Sequence, residues 1–158
     1  MVSALVPAIA GIIGDLIMIF FLRRARFFHL PETQMIRAIG SMVTKKVENA
    51  LWPGFLIHLA GGIFFAYFYR LFLETAPGVG ENLTQGGQVM VFVVVCGMMG
   101  FVHGLIVTLF LVISVSQYHP IEEFRSLDPG DMAAHVIAHI VYGTTVGFLL
   151  SWLPKFFS

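Results

Sequence analysis

Four long apolar stretches limit the folds that are open to this chain. They run over about residues 4–22, 50–73, 89–114 and 132–153. Each is close to, or longer than, the roughly 20 residues with which an α-helix crosses a bilayer. None alternates between apolar and polar residues as a lipid-facing β-strand does, so helices are expected rather than a barrel. The sequence predicts an all-α protein, an up-and-down bundle of four transmembrane helices in a single domain over residues 1–158.

Composition agrees with this location in the membrane and excludes other classes of protein. Hydrophobic residues make up 58% of the chain and charged residues 11%, which lies outside the usual range of soluble domains. The formal net charge is zero, and the basic residues fall in short connections, so no basic surface is left for a nucleic acid. The single cysteine, Cys96, lies within the third stretch and is expected to be a small buried residue.

The distribution of lysine and arginine predicts the orientation of the bundle. Most of these residues fall in the connections after the first and third stretches, whereas Arg70 and Lys155 fall toward the opposite side. Because cytoplasmic loops carry the excess of basic residues, both chain ends are predicted to face away from the cytoplasm. The first stretch is followed by "RRAR" and preceded by no basic residue, the reverse of a secretory signal peptide, so we expect it to be retained.

Two connections carry signals of their own. Residues 32–47 predict an amphipathic helix, placed either on the cytoplasmic interface with its basic side toward anionic headgroups or against the bundle or a neighbouring subunit. The connection before the fourth stretch ends in a helix start signal, with Asp128 at the cap, Pro129 at the first helical position and Asp131 beyond it. His119, in the same connection, is expected on a solvated loop face.

Ionisable residues within the apolar stretches are the candidate functional residues, because such side chains are costly in a membrane. Asp15, His58, His103 and His139 each belong to a different stretch. With a helical rise of about 1.5 Å per residue, Asp15, His58 and His139 lie at a depth of about 10 Å from the cytoplasmic ends, and His103 at about 15 Å. The four helices therefore place one ionisable residue each in a common layer.

Small residues at four-residue spacing predict that this layer faces the interior of the bundle. Membrane helices approach one another along such stripes, because close backbone packing drives their association. The stripes include Gly54, His58, Gly62 and Ala66 on the second stretch, Cys96, Gly100 and Gly104 on the third, and His135, His139, Gly143 and Gly147 on the fourth.

Several short motifs resemble a family of uncharacterised small bacterial four-span membrane proteins, a domain of unknown function. They are "GSM" at residues 40–42, the histidine and glycine of "HLAGG" at residues 58–62, and "HIVYG" at residues 139–143. The resemblance covers most of the chain and implies a four-span topology in a bacterial inner membrane, with no reaction attached. The family pattern has a threonine-like residue in place of Asp15 and no counterpart of His103, so a four-residue site would be particular to this chain.

The second and fourth stretches share a pattern that suggests an internal repeat. When His58 is aligned with His139, Gly62 coincides with Gly143. This predicts two parallel two-helix repeats about an axis along the membrane normal, with equivalent residues facing each other across that axis.

Facing histidines in a bundle core are a common way to hold a cofactor. The sequence therefore predicts haem b with His58 and His139 as axial ligands. Two alternatives remain open. Asp15 and His103 could join the two histidines in a transition-metal site, or all four side chains could be hydrogen-bonded with no cofactor.

The chain lacks a nucleophile with an adjacent base, a phosphate-binding loop and a carboxylate pair at a usable spacing, so it is not expected to be an enzyme on its own. The leading expectation is an accessory or anchoring subunit of a larger membrane complex, of the respiratory or electron-transfer kind. Its partners would be the lipid bilayer and other membrane subunits. The alternative is a small proton or ion transporter or channel that uses Asp15 and the histidine layer.

Overall fold

The computed structural model describes residues 2–79, 82–126 and 128–156, and these form helices joined by short connections. The helices are α1 (Val2–Arg23), α2 (Met35–Thr44), α3 (Leu51–Thr75), α4 (Gln85–Phe110), α5 (Ser116–Tyr118) and α6 (Pro129–Trp152). A π-helical segment, Leu111–Val115, joins α4 to α5 without a break, and 3₁₀ turns cover Ala25–Phe28, Glu122–Arg125 and Leu153–Phe156.

Four of these helical segments are long and apolar enough to cross a membrane, which confirms the predicted all-α bundle of four spans. They are Ala4–Arg23, Leu51–Thr75, Gln85–Tyr118 and Pro129–Trp152. The third is longer than predicted at both ends. At its start the Thr84 hydroxyl caps the helix by accepting a hydrogen bond from the backbone N–H of Gly87 at 3.2 Å. At its end the π-helical segment carries it on toward Tyr118.

The predicted start signal of the fourth span is present as a capping box. The Asp128 carboxylate accepts from the backbone N–H of Asp131 at 2.9 Å, and the Asp131 carboxylate accepts from that of Asp128 at 3.3 Å. Pro129 occupies the first turn, where its missing N–H costs nothing. Together these contacts fix where α6 begins and hence the height of the histidines that follow.

The four long helices pack unequally. Helix α6 packs along α4 and also against α1, while α1 packs against α3. Helices α3 and α4 touch at only a few positions, although they follow each other in the chain, and α3 and α6 also touch at only a few. A twofold repeat would make the α1–α6 and α3–α4 contacts equivalent. The two halves are packed differently, so the predicted arrangement of two repeats about a twofold axis is wrong for this packing.

Glycines bring α4 and α6 into backbone contact. A Cβ atom at Gly100 would collide with the carbonyl group of His139, and one at Gly143 would collide with that of Cys96. Cys96 is fully buried at this seam, as predicted. The absence of side chains on the two glycines thus sets the distance between the helices and holds His139 against α4.

Helix α2 is shorter than the predicted helix over residues 32–47, since Lys45 ends it in the left-handed conformation at φ 55°. It packs on the start of α3, where a Cβ atom at Gly40 would collide with the carbonyl of Ala50. The structure thus has α2 against the bundle, and its placement on the cytoplasmic interface stays a prediction. Val43 remains 64% exposed at the mouth of the cavity described below.

The expectation that His119 lies on a solvated face is wrong. The side chain is fully buried. Its Nε2–H donates to the carbonyl of Ala38 at 2.9 Å, and its Nδ1 accepts from the backbone N–H of Ile121 at 3.0 Å. His119 therefore ties α2 to the connection between α5 and α6. The polar composition of that connection gave no sign that α2 would cover it.

Candidate functional site

Asp15 on α1 and His58 on α3 form a buried pair. Nδ1 of His58 lies 2.6 Å from Oδ1 of Asp15, and Asp15 is 0% exposed. Gly62, one turn after His58, provides the space for the carboxylate, because a Cβ atom there would lie 3.0 Å from both Cβ and Oδ1 of Asp15. The spacing of histidine and glycine in "HLAGG" is thus explained by the room that its aspartate partner needs.

This pair borders a cavity of about 400 Å³ that lies between the helices and is open on one side. Small-molecule sites have volumes of roughly 300–1,000 Å³ and apolar walls with a few polar groups. Asp15, His58, His103 and His139 all line the cavity, which the side chains of α2 border at one end. The structure therefore brings together the four residues that the sequence placed in a common layer.

The histidines of α6 are held by the backbone of the same helix. Nδ1 of His139 lies 2.7 Å from the carbonyl oxygen of His135, and Nδ1 of His135 lies 2.7 Å from that of Asp131. Since a carbonyl only accepts, each Nδ1 carries a proton and donates it. His139 therefore presents Nε2 as its basic nitrogen. His58, with Nδ1 on the Asp15 carboxylate, is held in the same way from a different helix.

His103 fills the space between α3 and α6. Its ring stacks on Phe65 with 3.6 Å between centroids, and it meets the His139 ring edge-on at 4.7 Å. The hydroxyl of Tyr69 lies 3.4 Å from its Nδ1. Aromatic rings thus form one wall of the cavity beside the two histidines that are anchored through Nδ1.

Tyr142 is a cavity residue that reasoning from the sequence did not assign to the site. Its hydroxyl donates to the carbonyl of Gly62 and so joins α6 to α3 across the bundle. The signal was present in the sequence, because Tyr142 lies three residues after His139 and shares its helix face.

A second, smaller cavity of about 180 Å³ lies next to the first, toward the end of the bundle that carries Asp131. The two cavities share Met35, Ala38, Leu111 and Val115 as lining residues. His135 also lines the smaller one, and within the part of the chain that the structure describes its Nε2 is buried without a hydrogen-bond partner.

The cofactor predictions are not decided by this arrangement. Among the described residues, no group of three or more His, Cys, Asp or Glu side chains is placed so that it could hold a metal ion. A haem needs only two axial ligands, so this observation does not address it. Haem b with His58 and His139 and the metal site with Asp15 and His103 both stay predictions.

Comparisons with known proteins assign nothing to the site. The chain matches no protein-family model, no curated protein and no solved structure. The likeness to the four-span bacterial family accordingly stays a prediction based on its short motifs, and the function has to be argued from the cavity itself.

Proposed function

We propose that this chain is an integral membrane subunit of an electron-transfer assembly, and that the cavity binds a flat redox cofactor, haem b. One observation carries the proposal. His58 on α3 and His139 on α6 line the same cavity, and each has its Nδ1 hydrogen-bonded to an oxygen atom.

The hydrogen bonds of these two histidines suit iron ligation. A metal-bound histidine almost always donates its second ring nitrogen to a carboxylate or a carbonyl, which fixes the ring and makes the ligating nitrogen more basic. Asp15 serves His58 in this way, and the carbonyl of His135 serves His139. The stacked rings of Phe65 and His103 would pack against a flat macrocycle. When bound, the haem would supply one-electron transfer.

The connections between the spans support a role as a subunit. Apart from α2 and single helical turns, the described connections hold no folded unit that could bind an electron donor. Electrons would therefore arrive from another chain. Arg23, Arg24 and Arg37 at one end of the bundle support an orientation with that end in the cytoplasm of a bacterial cell and both termini on the other side.

The test is the visible spectrum and iron content of the full chain, extracted in mild detergent from haem-replete cells. We expect a Soret band that is lost in His58→Ala and in His139→Ala. His29→Ala is the matched control, because His29 is exposed and does not line the cavity, and it should keep the band. A colourless wild-type protein contradicts the haem. A monodisperse chain purified without larger partners contradicts the subunit role.

A second candidate function, a proton relay, is favoured by the two adjoining cavities. His135 lines the smaller cavity and His139 the larger one, so one face of α6 carries a titratable group in each. Such a series of intramembrane histidines is typical of proton paths. Proton flux into proteoliposomes that is lost in both His135→Ala and Asp15→Asn would support it. Wild-type vesicles without flux would contradict it.

A further inference from the structure

A groove of about 470 Å³ lies where α1, α2 and α3 meet, and it shares only Met35 with the lining of the histidine cavity. It combines two kinds of side chain. Three arginines and several apolar residues border it, among them Arg23, Arg24, Arg37, Ile19, Leu22 and Leu51. Cationic and apolar groups within one groove suit a ligand that is itself anionic at one end and apolar at the other.

The arginines of this groove have no carboxylate partner among the described residues. Glu32 also borders the groove, but it is paired with Arg26 at 3.1 Å. The guanidinium of Arg37 donates to the carbonyl of Val47 at 3.1 Å, and that of Arg24 lies 5.7 Å from the centroid of the Phe20 ring. Neither contact neutralises charge. The groove therefore keeps an excess of positive charge and most of its guanidinium donors.

The position of the groove matches the headgroup level of a bilayer. Ile19 and Leu22 belong to the last turns of a membrane span, and Leu51 begins the next one. Trp52 follows Leu51 directly and is 71% exposed, and Phe20 is 63% exposed. Exposed aromatic residues at the ends of spans mark the boundary between hydrocarbon and headgroups.

We propose that this groove binds the headgroup of an anionic phospholipid. The guanidinium groups of Arg23, Arg24 and Arg37 would hold the phosphate through charge-assisted hydrogen bonds. The acyl chains would lie along Ile19 and Leu51 toward the exposed Phe20. A free phosphate ion offers the same headgroup chemistry but leaves these apolar walls uncovered. The proposal requires no cofactor in the histidine cavity.

Quenching of Trp52 by brominated lipid tests this site. The chain has two tryptophans, so Trp152→Phe leaves Trp52, which follows a residue of the groove, as the sole tryptophan, and excitation at its red edge avoids the tyrosines. The protein is reconstituted in phosphatidylcholine vesicles that contain a minor fraction of either brominated phosphatidylglycerol or brominated phosphatidylcholine. The preference for the anionic lipid is the ratio of the two quenching efficiencies at equal mole fraction.

Two matched double variants separate a bound headgroup from general surface charge. Arg23→Gln/Arg24→Gln removes two charges from the groove, and Lys45→Gln/Lys46→Gln removes two exposed charges beyond its lining. Measurements at physiological ionic strength screen charges that lie more than about 8 Å away. We expect the arginine variant to lose roughly fivefold or more of the preference for the anionic lipid, as basic residues close to the headgroup do. The lysine variant should stay near the parent protein.

Three results would overturn the proposal. One is equal quenching by the two brominated lipids in the parent protein. Another is an equal loss of preference in the arginine and lysine variants, which would indicate surface charge alone. The third is loss of the preference when inorganic phosphate replaces chloride at constant ionic strength, which would assign the groove to free phosphate.

Discussion

Nδ1 of His58 and Oδ1 of Asp15 lie 2.6 Å apart between two different membrane helices. The carboxylate is fully buried, and among the described residues its second oxygen, Oδ2, has no hydrogen-bond partner. Asp15 therefore depends on His58 for its stabilisation. Nε2 of the imidazole remains available to a ligand. The pair therefore both holds α1 against α3 and contributes to the lining of the cavity.

Removal of His58 alone should destabilise the protein more than removal of both partners. His58→Ala leaves a buried carboxyl group without a partner, and breaking a buried pair in this way typically costs about 3–5 kcal/mol. Asp15→Ala/His58→Ala removes both groups and should recover part of that loss. The measurement is the free energy of unfolding in detergent for both single variants and the double variant. Additive effects of the single substitutions would show that the two side chains do not interact.

Two adjacent glycines give a matched test of the space around Asp15. Gly62→Ala places a Cβ atom 3.0 Å from Oδ1 of Asp15, whereas Gly61→Ala meets nothing within 4 Å. We expect Gly62→Ala to cost about 1–3 kcal/mol, as overpacking does. Gly61→Ala should be neutral or stabilising by up to about 1 kcal/mol, because alanine favours the helix. Thermal unfolding of both variants decides this, and equal melting temperatures would contradict the placement of Asp15.

The anchoring of α2 by His119 predicts a local effect. His119→Ala removes a buried donor to the carbonyl of Ala38 and should cost about 1–3 kcal/mol. Hydrogen exchange measured peptide by peptide should become faster over Met35–Thr44 and remain unchanged in α6. His29→Ala alters an exposed histidine and serves as the control. Unchanged exchange in α2 would mean that its packing on α3 is sufficient to hold it.

Where the backbones of α4 and α6 touch, a glycine should not be replaceable by a residue with a side chain. A Cβ atom at Gly100 collides with the carbonyl of His139, while one at Gly86, near the start of the same helix, meets nothing within 4 Å. Gly100→Ala should therefore lower the melting temperature markedly, by the equivalent of about 1–3 kcal/mol or more, and Gly86→Ala should not. A Gly100→Ala variant as stable as wild type would contradict the close contact of the two backbones.

Features that depend on a single helix could be predicted from the sequence. The four spans follow from their length and apolar character, and the start of α6 follows from Asp128 and Asp131. The common depth of the ionisable residues could be calculated, because the rise per residue is the same in all four helices and converts a position in the sequence into a distance from the helix end. The stripe that contains Gly143 correctly indicated the inner face of its helix.

Features that depend on which helices meet could not be predicted. Small-residue stripes occur on all four long helices, and nothing in their spacing says that α4 packs closely on α6 and hardly on α3. For the same reason the sequence could not identify which histidine pairs with Asp15, since three histidines lie at a similar depth. His119 was misplaced because its burial requires α2 to fold back over a connection far away in the sequence.

The narrow contact between α3 and α4 leaves one side of the bundle weakly closed, next to the cavity that His58 and His103 line. A molecule that enters by this side comes out of the hydrocarbon phase rather than out of water. The fraction of cavities that hold such a ligand then depends on the mole fraction of the ligand among the surrounding lipid or detergent molecules. The acyl chains of these molecules compete with the ligand for the cavity. An affinity measured in micelles will weaken in proportion to added detergent, even when the total concentrations of ligand and protein are kept constant.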